Sequence, residues 1–289
     1  MRKQSYDMHP CLSEATHGKY ERIHLPVAPL CNIKCRYCTR KYDCVNESRP
    51  GVASRVVSPR DALKRLDAIV NRNSRVRVIG VAGPGDALAN PSTFEFFRLV
   101  REFYPELSLC VATNGLVLSD YINVLEELEV NTITITINAI SAETALQIYS
   151  WIYYKENLIR EREAVEILLE NQWKGLNSAA KKGFTIKINS IVIPGINERE
   201  IVTIAEKASS KGANFMNITP VIPNGEFSRI QKPSCEFINE LRERCSLFLP
   251  QIKHCRQCRA DALGGLHEEK DMELELLLSE LSYDYCEVV

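Results

Sequence analysis

The sequence predicts an α/β fold in which six strand-then-helix units form a partial (βα)6, TIM-like barrel with N- and C-terminal extensions. Three observations predict it. Apolar runs of strand length alternate with helical periodicities from residue 22 to residue 247, as parallel strands joined by helices require. Between Thr132 and Asn138, Ile133, Ile135 and Ile137 share one face of a strand, while Thr132, Thr134, Thr136 and Asn138 share the other. An apolar face packs on helices and a polar one looks into a lumen, where such barrels hold ligands at the carboxyl ends of their strands. The chain's 289 residues, 45% of them hydrophobic, suffice for one compact core. A doubly wound open sheet is the competing arrangement, and a half-exposed strand is the plain reading of 132–138.

In order along the chain, residues 1–20 are polar and read as an arm, with Cys11 behind His9-Pro10. Arg22 to Pro29 is the first strand. It enters a loop from Cys31 to Pro50 that lacks any sustained period, and a long structureless loop inside a compact domain is usually functional. Ser58 as N-cap and Pro59 in the first helical position open a helix whose apolar face is Ala62, Leu63, Leu66, Ile69 and Val70. Strands follow at 76–82, 107–113, 132–138, 185–193 and 215–221, and helices at 93–103, 119–128, 142–182, 199–210 and 234–247. The expected divisions are an arm over 1–20, the barrel over 21–250 and a C-terminal extension over 251–289.

Thirty-six basic and 37 acidic side chains nearly cancel, so bulk charge offers no footprint for nucleic acid or an anionic membrane. The amino-terminal residues are polar, and no later run approaches the roughly 18 apolar residues of a membrane span. A cytoplasmic location is expected. There thiols stay reduced, so eleven cysteines point to metal or redox chemistry.

Cys31-Asn32-Ile33-Lys34-Cys35-Arg36-Tyr37-Cys38 offers three thiolates spaced CX3CX2C. Three cysteines so placed can hold three corners of a four-iron, four-sulfur cube and leave the fourth iron open for chemistry. Structural zinc normally takes four ligands in two paired knuckles, so the triplet suits zinc less well. Its spacing, with an aromatic before the third cysteine, resembles the radical S-adenosylmethionine (SAM) superfamily. That resemblance implies a barrel of the radical SAM type, with Cys31, Cys35 and Cys38 as the catalytic cluster ligands. Gly83-Pro84-Gly85-Asp86 after the second strand is by itself a tight turn. It resembles, with departures in sequence, the superfamily's loop for the methionine amino group. Thr113-Asn114-Gly115, Asn138, and Asn189 with Ile191 end later strands at the same mouth. Cofactor-binding positions implied in this way are Tyr37, Gly83, Gly85, Asp86, Asn114, Thr136, Asn138, Asn189 and Ile191.

Other cysteines and one histidine stay open on the residues alone. Cys110 shares strand parity with Ser108, Ala112 and Asn114, yet a lone cysteine in an apolar strand is ordinarily buried packing. His24 is equally a hydrogen-bonded core histidine or a ligand. Cys44 lies six residues past the triplet. Cys255 and Cys258 form a two-thiolate hook that needs ligands from elsewhere or serves as a redox pair. Cys235, Cys245 and Cys286 read as structural.

The run Ile23 to Pro29 before the triplet, the block Arg40 to Gly51 containing Cys44-Val45-Asn46-Glu47-Ser48-Arg49-Pro50-Gly51, and His254 to Ala262 together resemble the NifB family of nitrogenase cofactor biosynthesis, over about residues 9 to 265. The resemblance implies two further [4Fe-4S] clusters as precursor substrates, fused around a SAM-derived carbide into an eight-iron core. His24, Cys44 and Cys110 match the ligands of one precursor, and Cys11, Cys255 and Cys258 those of the other. It also implies an iron–sulfur cluster donor, a separate carrier or scaffold for the product and a small electron-donor protein as partners, with no nucleic acid and no membrane. A peptide-modifying radical SAM enzyme and a non-catalytic iron–sulfur scaffold are the alternatives.

Overall fold

The computed structural model describes residues 8–16, 18–49 and 51–284. Cys286, Pro50 and the first seven residues of the expected arm lie outside the described residues. Six parallel strands follow one another in the sheet in chain order: β1 (Glu21–His24), β3 (Val76–Val81), β4 (Ser108–Thr113), β5 (Val130–Thr136), β8 (Thr185–Val192) and β9 (Phe215–Pro220). Helices α1 (Pro59–Val70), α2 (Pro91–Phe103), α3 (Leu118–Glu127), α6 (Ile201–Ser210) and α7 (Cys235–Ser246) intervene. The result is a curled α/β half-barrel, with the helices packed in neighbouring pairs along it. It is not closed, because the ends of the sheet are β9 and a short antiparallel addition, β10 (Leu263–Gly264) and β11 (Glu269–Lys270), laid against β1. The C-terminal segment thus returns to the first strand of the barrel.

Local chemistry accounts for the boundaries. The Ser58 hydroxyl accepts from the Asp61 backbone N–H and Pro59 opens α1, while Ser234 accepts from Phe237 N–H at the start of α7. On β5, Ile133 and Ile135 are fully buried in the main apolar core. Thr132, Thr134 and Thr136 on the opposite face are also buried, which excludes the half-exposed reading of this strand.

One expectation is corrected. Residues 142–182 do not form a single helical stretch; α4 (Ala142–Ile148) gives way to a hairpin of β6 (Tyr149–Tyr154) and β7 (Asn157–Arg160) before α5 (Glu161–Lys181). Tyr149-Ser150-Trp151-Ile152-Tyr153-Tyr154 is rich in aromatic and β-branched residues that favour a pleated strand. Lys155 and Glu156, with φ of 48° and 64°, form the left-handed two-residue turn that suits a hairpin. β6 also pairs antiparallel with β2 (Ile33–Cys35), a strand inside the cysteine loop, so the hairpin tethers that loop to the barrel.

Candidate iron–sulfur and SAM site

The cysteine loop is held by its backbone. Cys38 N–H donates to the Cys35 carbonyl at 3.0 Å, Arg36 N–H to the Ile148 carbonyl at 2.8 Å, and Glu226 N–H to the Arg36 carbonyl at 2.9 Å. Lys34 Nζ donates to the Cys38 carbonyl, and the Arg40 guanidinium to the carbonyls of Cys31 and Ile33. Folded in this way, Cys31, Cys35 and Cys38 line one cavity of about 710 Å3, partly open to solvent, together with Cys44, Asn46, Glu47, Gly85, Asp86, Asn114 and Thr136. Burial, with Asp86 adding to it, pushes the Cys31 thiol up to about 12, and burial with the other two thiols pushes Cys35 higher still. Thiols so disfavoured as free anions suit a bound iron centre, whose positive charge would carry them as thiolates. The donor set and the space beside it therefore fit a cube with SAM at its open corner.

The wall beside Cys31 is built by close backbone approach. Gly85 N–H donates to the Ala28 carbonyl at 2.6 Å, and a Cβ on Gly85 would overlap the Leu30 carbonyl, so only glycine fits there. The Asp86 carboxylate accepts from Asn114 N–H at 2.6 Å, Leu88 N–H at 3.0 Å and the Thr113 hydroxyl at 3.1 Å. Burial raises its pKa to about 6, against the pull of these hydrogen bonds. Asn114 Nδ2 donates to Asn32 Oδ1 at 2.7 Å, which fastens the end of β4 to the cysteine loop.

Gly83, Tyr37, Asn138, Asn189 and Ile191 do not line this cavity; they stand behind it. The buried Tyr37 hydroxyl donates to Asn46 Oδ1 at 2.7 Å and accepts from Asn138 Nδ2 at 2.8 Å. Asn138 Oδ1 takes the Ile191 N–H, and Asn189 Nδ2 donates to the Asn46 carbonyl at 2.6 Å. Asn138, just past β5, acts through Tyr37, and Asn189, within β8, acts directly; together they hold Asn46 over the barrel lumen and satisfy buried polar groups on both sides.

A second cavity of about 720 Å3 lies deeper and shares Asn46, Glu47 and Ala112 with the first. His24, Cys110, Cys11, Cys255 and Cys258 all line it, while Cys44 lines the first. Sheet register explains its floor: His24, Gly80, Cys110 and Thr132 are successive partners across four strands. The side chains of His24, Cys110 and Thr132 share the lumen face, and a Cβ at Gly80 would lie 2.6 Å from the His24 ring. The absent side chain is where the imidazole sits. From before β1 and after α7, Cys11 and Cys258 meet in one small apolar cluster, and His254 Nε2 lies 3.2 Å from the Cys11 carbonyl. Cys245 is buried in the main core and Cys235 is exposed.

His9, Arg22, Glu47 and Lys187 stand at this site without being expected there from the sequence. Arg22 is fully buried and donates to Cys258 Sγ at 2.9 Å. Glu47 accepts from Thr136 and Asn189, each at 3.2 Å. Burial works against the Lys187 ammonium, but the Glu47 carboxylate and the thiols of Cys255, Cys11 and Cys110 raise its pKa overall. A lysine on the same face of its strand as Asn189 was the available signal.

The two histidines of this cavity differ. His24 Nδ1 lies 3.3 Å from the Arg259 carbonyl, an acceptor only, so the ring proton belongs on Nδ1 and the Nε2 lone pair is left for a metal. His9 Nδ1 accepts the Cys11 N–H at 3.2 Å, so its proton belongs on Nε2, a buried atom with no protein partner. Burial lowers both pKa values to about 3 and keeps both rings neutral.

Residues 25–208 match the family model described as the radical SAM superfamily. A protein of Chlorobaculum tepidum named FeMo cofactor biosynthesis protein NifB is 46% identical over 275 residues, 94% of this chain and 65% of its own length. One of the same name from Methanocaldococcus infernus is 43% identical over 264 residues, 91% of this chain and 87% of its own. The chain therefore spans somewhat less than two thirds of the Chlorobaculum relative. Among solved structures, a methylornithine synthase aligns over 90% of this chain and 81% of its own at 10% identity and a TM-score of 0.49. No helix among the described residues is long and apolar enough to cross a membrane.

Proposed function

Since the chain belongs to the NifB family within the radical SAM superfamily, we propose that it fuses two [4Fe-4S] clusters and inserts a SAM-derived carbide, making the eight-iron precursor of the nitrogenase cofactor. The single observation that carries this reading is the pair of adjoining cavities, one lined by the CX3CX2C triplet and the other by His24, Cys110, Cys11, Cys255 and Cys258. A barrel that only cleaved SAM would have no use for the second set of soft ligands.

In this reading Cys31, Cys35 and Cys38 hold the resident cube, and the cube with SAM supplies, when bound, a carbon radical able to remove hydrogen from a methyl group. Gly85 lets the 83–86 turn lie against the Leu30 carbonyl, which sets that turn beside Cys31 where the methionine end would bind. Asp86 holds the end of β4 in place and presents a carboxylate beside that group. Substrate cubes are held deeper, one by His24 and Cys110 with Cys44 reaching across the junction, the other by Cys11, Cys255 and Cys258. The Asn46–Glu47 segment stands between the two chambers, and the asparagine clamp fixes it there, keeping the reacting groups near one another and sheltered from water. The cluster donor, the product's carrier or scaffold and a small electron donor belong to the same reading, as does work in the reducing cytoplasm.

Removing one thiolate tests it. With SAM and dithionite under anaerobic conditions, Cys38→Ala should make no 5′-deoxyadenosine yet retain iron on the other cysteines, losing about four atoms per chain. Undiminished 5′-deoxyadenosine from this variant would remove the triplet from the mechanism, and none from the wild type would favour a scaffold.

A further inference from the structure

The three-stranded sheet that tethers the cysteine loop has two unlike faces. Ile33, Ile152 and Ile159, in register across it, turn inward and pack in the core beneath. The other face carries Lys34, Trp151 and Arg160 as cross-strand partners, and Tyr153 opposite Leu158 on the next outward rung. Arg40 lies over the Trp151 ring, 4.8 Å from its centroid. Tyr153 and Leu158 are 50% and 53% exposed, high for large apolar side chains on a sheet. Lys34, Arg40 and Arg160 form no ion pair with any carboxylate among the described residues, although many other arginines of the chain do. Lys34 and Arg40 are bound to backbone carbonyls of Cys38, Cys31 and Ile33.

An unneutralised cluster of cations around tryptophan, tyrosine and leucine has the composition of a binding surface rather than of a solvated edge. Its place narrows the occupant. The face is the outer side of the strand that contains Cys35, and two of its cations are hydrogen-bonded to the loop that carries all three triplet thiols. Resting on the proposed radical SAM reading, that loop must receive an electron from outside for each SAM cleaved. We propose that this basic, aromatic face is the docking surface for an acidic one-electron carrier protein, seated on Trp151, Tyr153 and Leu158 and oriented by Lys34, Arg40 and Arg160. Electrostatic complementarity of this kind speeds encounter and sets orientation, and salt weakens it.

The test titrates the iron-loaded chain with an acidic plant-type [2Fe-2S] ferredoxin by calorimetry, comparing wild type with Arg160→Glu and Tyr153→Ala, side chains at the rim that hold no cluster and no SAM. Binding to the wild type should weaken steadily as salt is raised, and Arg160→Glu should bind roughly tenfold less tightly at low salt. Formation of 5′-deoxyadenosine driven by the ferredoxin should fall with that affinity in both variants, while the dithionite-driven rate stays within about twofold of wild type. Equal ferredoxin affinity in wild type and Arg160→Glu, or no binding to the wild type, overturns the proposal. Tighter binding of a single-stranded RNA than of ferredoxin also overturns it. A wild type that binds ferredoxin but yields no 5′-deoxyadenosine with either reductant would count against the radical SAM reading and leave the docking surface standing.

Discussion

His24 and His9 face one cavity with opposite protonation, and the difference is measurable. With its Nδ1 proton engaged by the Arg259 carbonyl, His24 offers Nε2 to iron, whereas His9, whose Nδ1 accepts a backbone N–H, has only an N–H to present. Pulsed electron paramagnetic resonance of the loaded protein should therefore show a directly coordinated nitrogen that disappears in His24→Ala and persists in His9→Ala. Loss of the signal in His9→Ala alone would reverse the two roles. Gly80→Ala should act through His24, because the new methyl group takes the space of the ring. We expect the nitrogen signal to be lost or shifted and stability lowered by about 1–3 kcal/mol, as overpacking usually costs, read from denaturant unfolding of the apo chain. Alternation along a strand made the inward direction of Cys110 legible in the sequence. That Cys110, Gly80 and His24 stand on one rung was not, since register between strands depends on pairing that no single strand records. Nor was the proton on either histidine, which is set by a neighbour's carbonyl or N–H.

At the scale of elements, strands and helices of the barrel were legible because each carries its own signals, such as the Ser58-Pro59 start of α1 or the alternation of β5. The hairpin over 149–160 was not separated from its flanking helices, because apolar residues in a short run satisfy either period. What decides it is a tertiary partner: β2 offers an edge to β6, and Ile152, opposite Ile33, is fully buried beneath the cysteine loop. Ile152→Ala should cost about 2–4 kcal/mol of stability by leaving a cavity there. Because the damage lies under the loop, this variant should also lose the triplet's iron faster than wild type under a chelator, while iron on the deeper cysteines is retained as well as before. Uniform loss from all sites would indicate global loosening and separate the hairpin from any particular role in the loop.

For the whole molecule, the segments on either side of the barrel meet at the second cavity: Cys11 precedes the first strand, Cys255 and Cys258 follow α7, and β10 pairs back onto β1. The hook looked isolated in the sequence because its companions are more than two hundred residues away. A ligand set drawn from segments outside the six parallel strands can open by local unfolding more readily than one set on the strands, which suits a cluster that is loaded and then consumed. Fully reconstituted protein should carry about twelve irons per chain, in three cubes of four. Cys255→Ala combined with Cys258→Ala should remove about four of them, keep SAM cleavage and stop product formation. The most direct measurement of the central claim is anaerobic incubation of the loaded wild-type chain with SAM and dithionite, followed by extraction of the cluster and its addition to a nitrogenase cofactor assembly and activation assay. The account predicts 5′-deoxyadenosine and an extract that supports activation from the wild type, and 5′-deoxyadenosine without such an extract from the double variant. Formation of 5′-deoxyadenosine with an extract that never supports activation, or an equally active extract from the double variant, would contradict it.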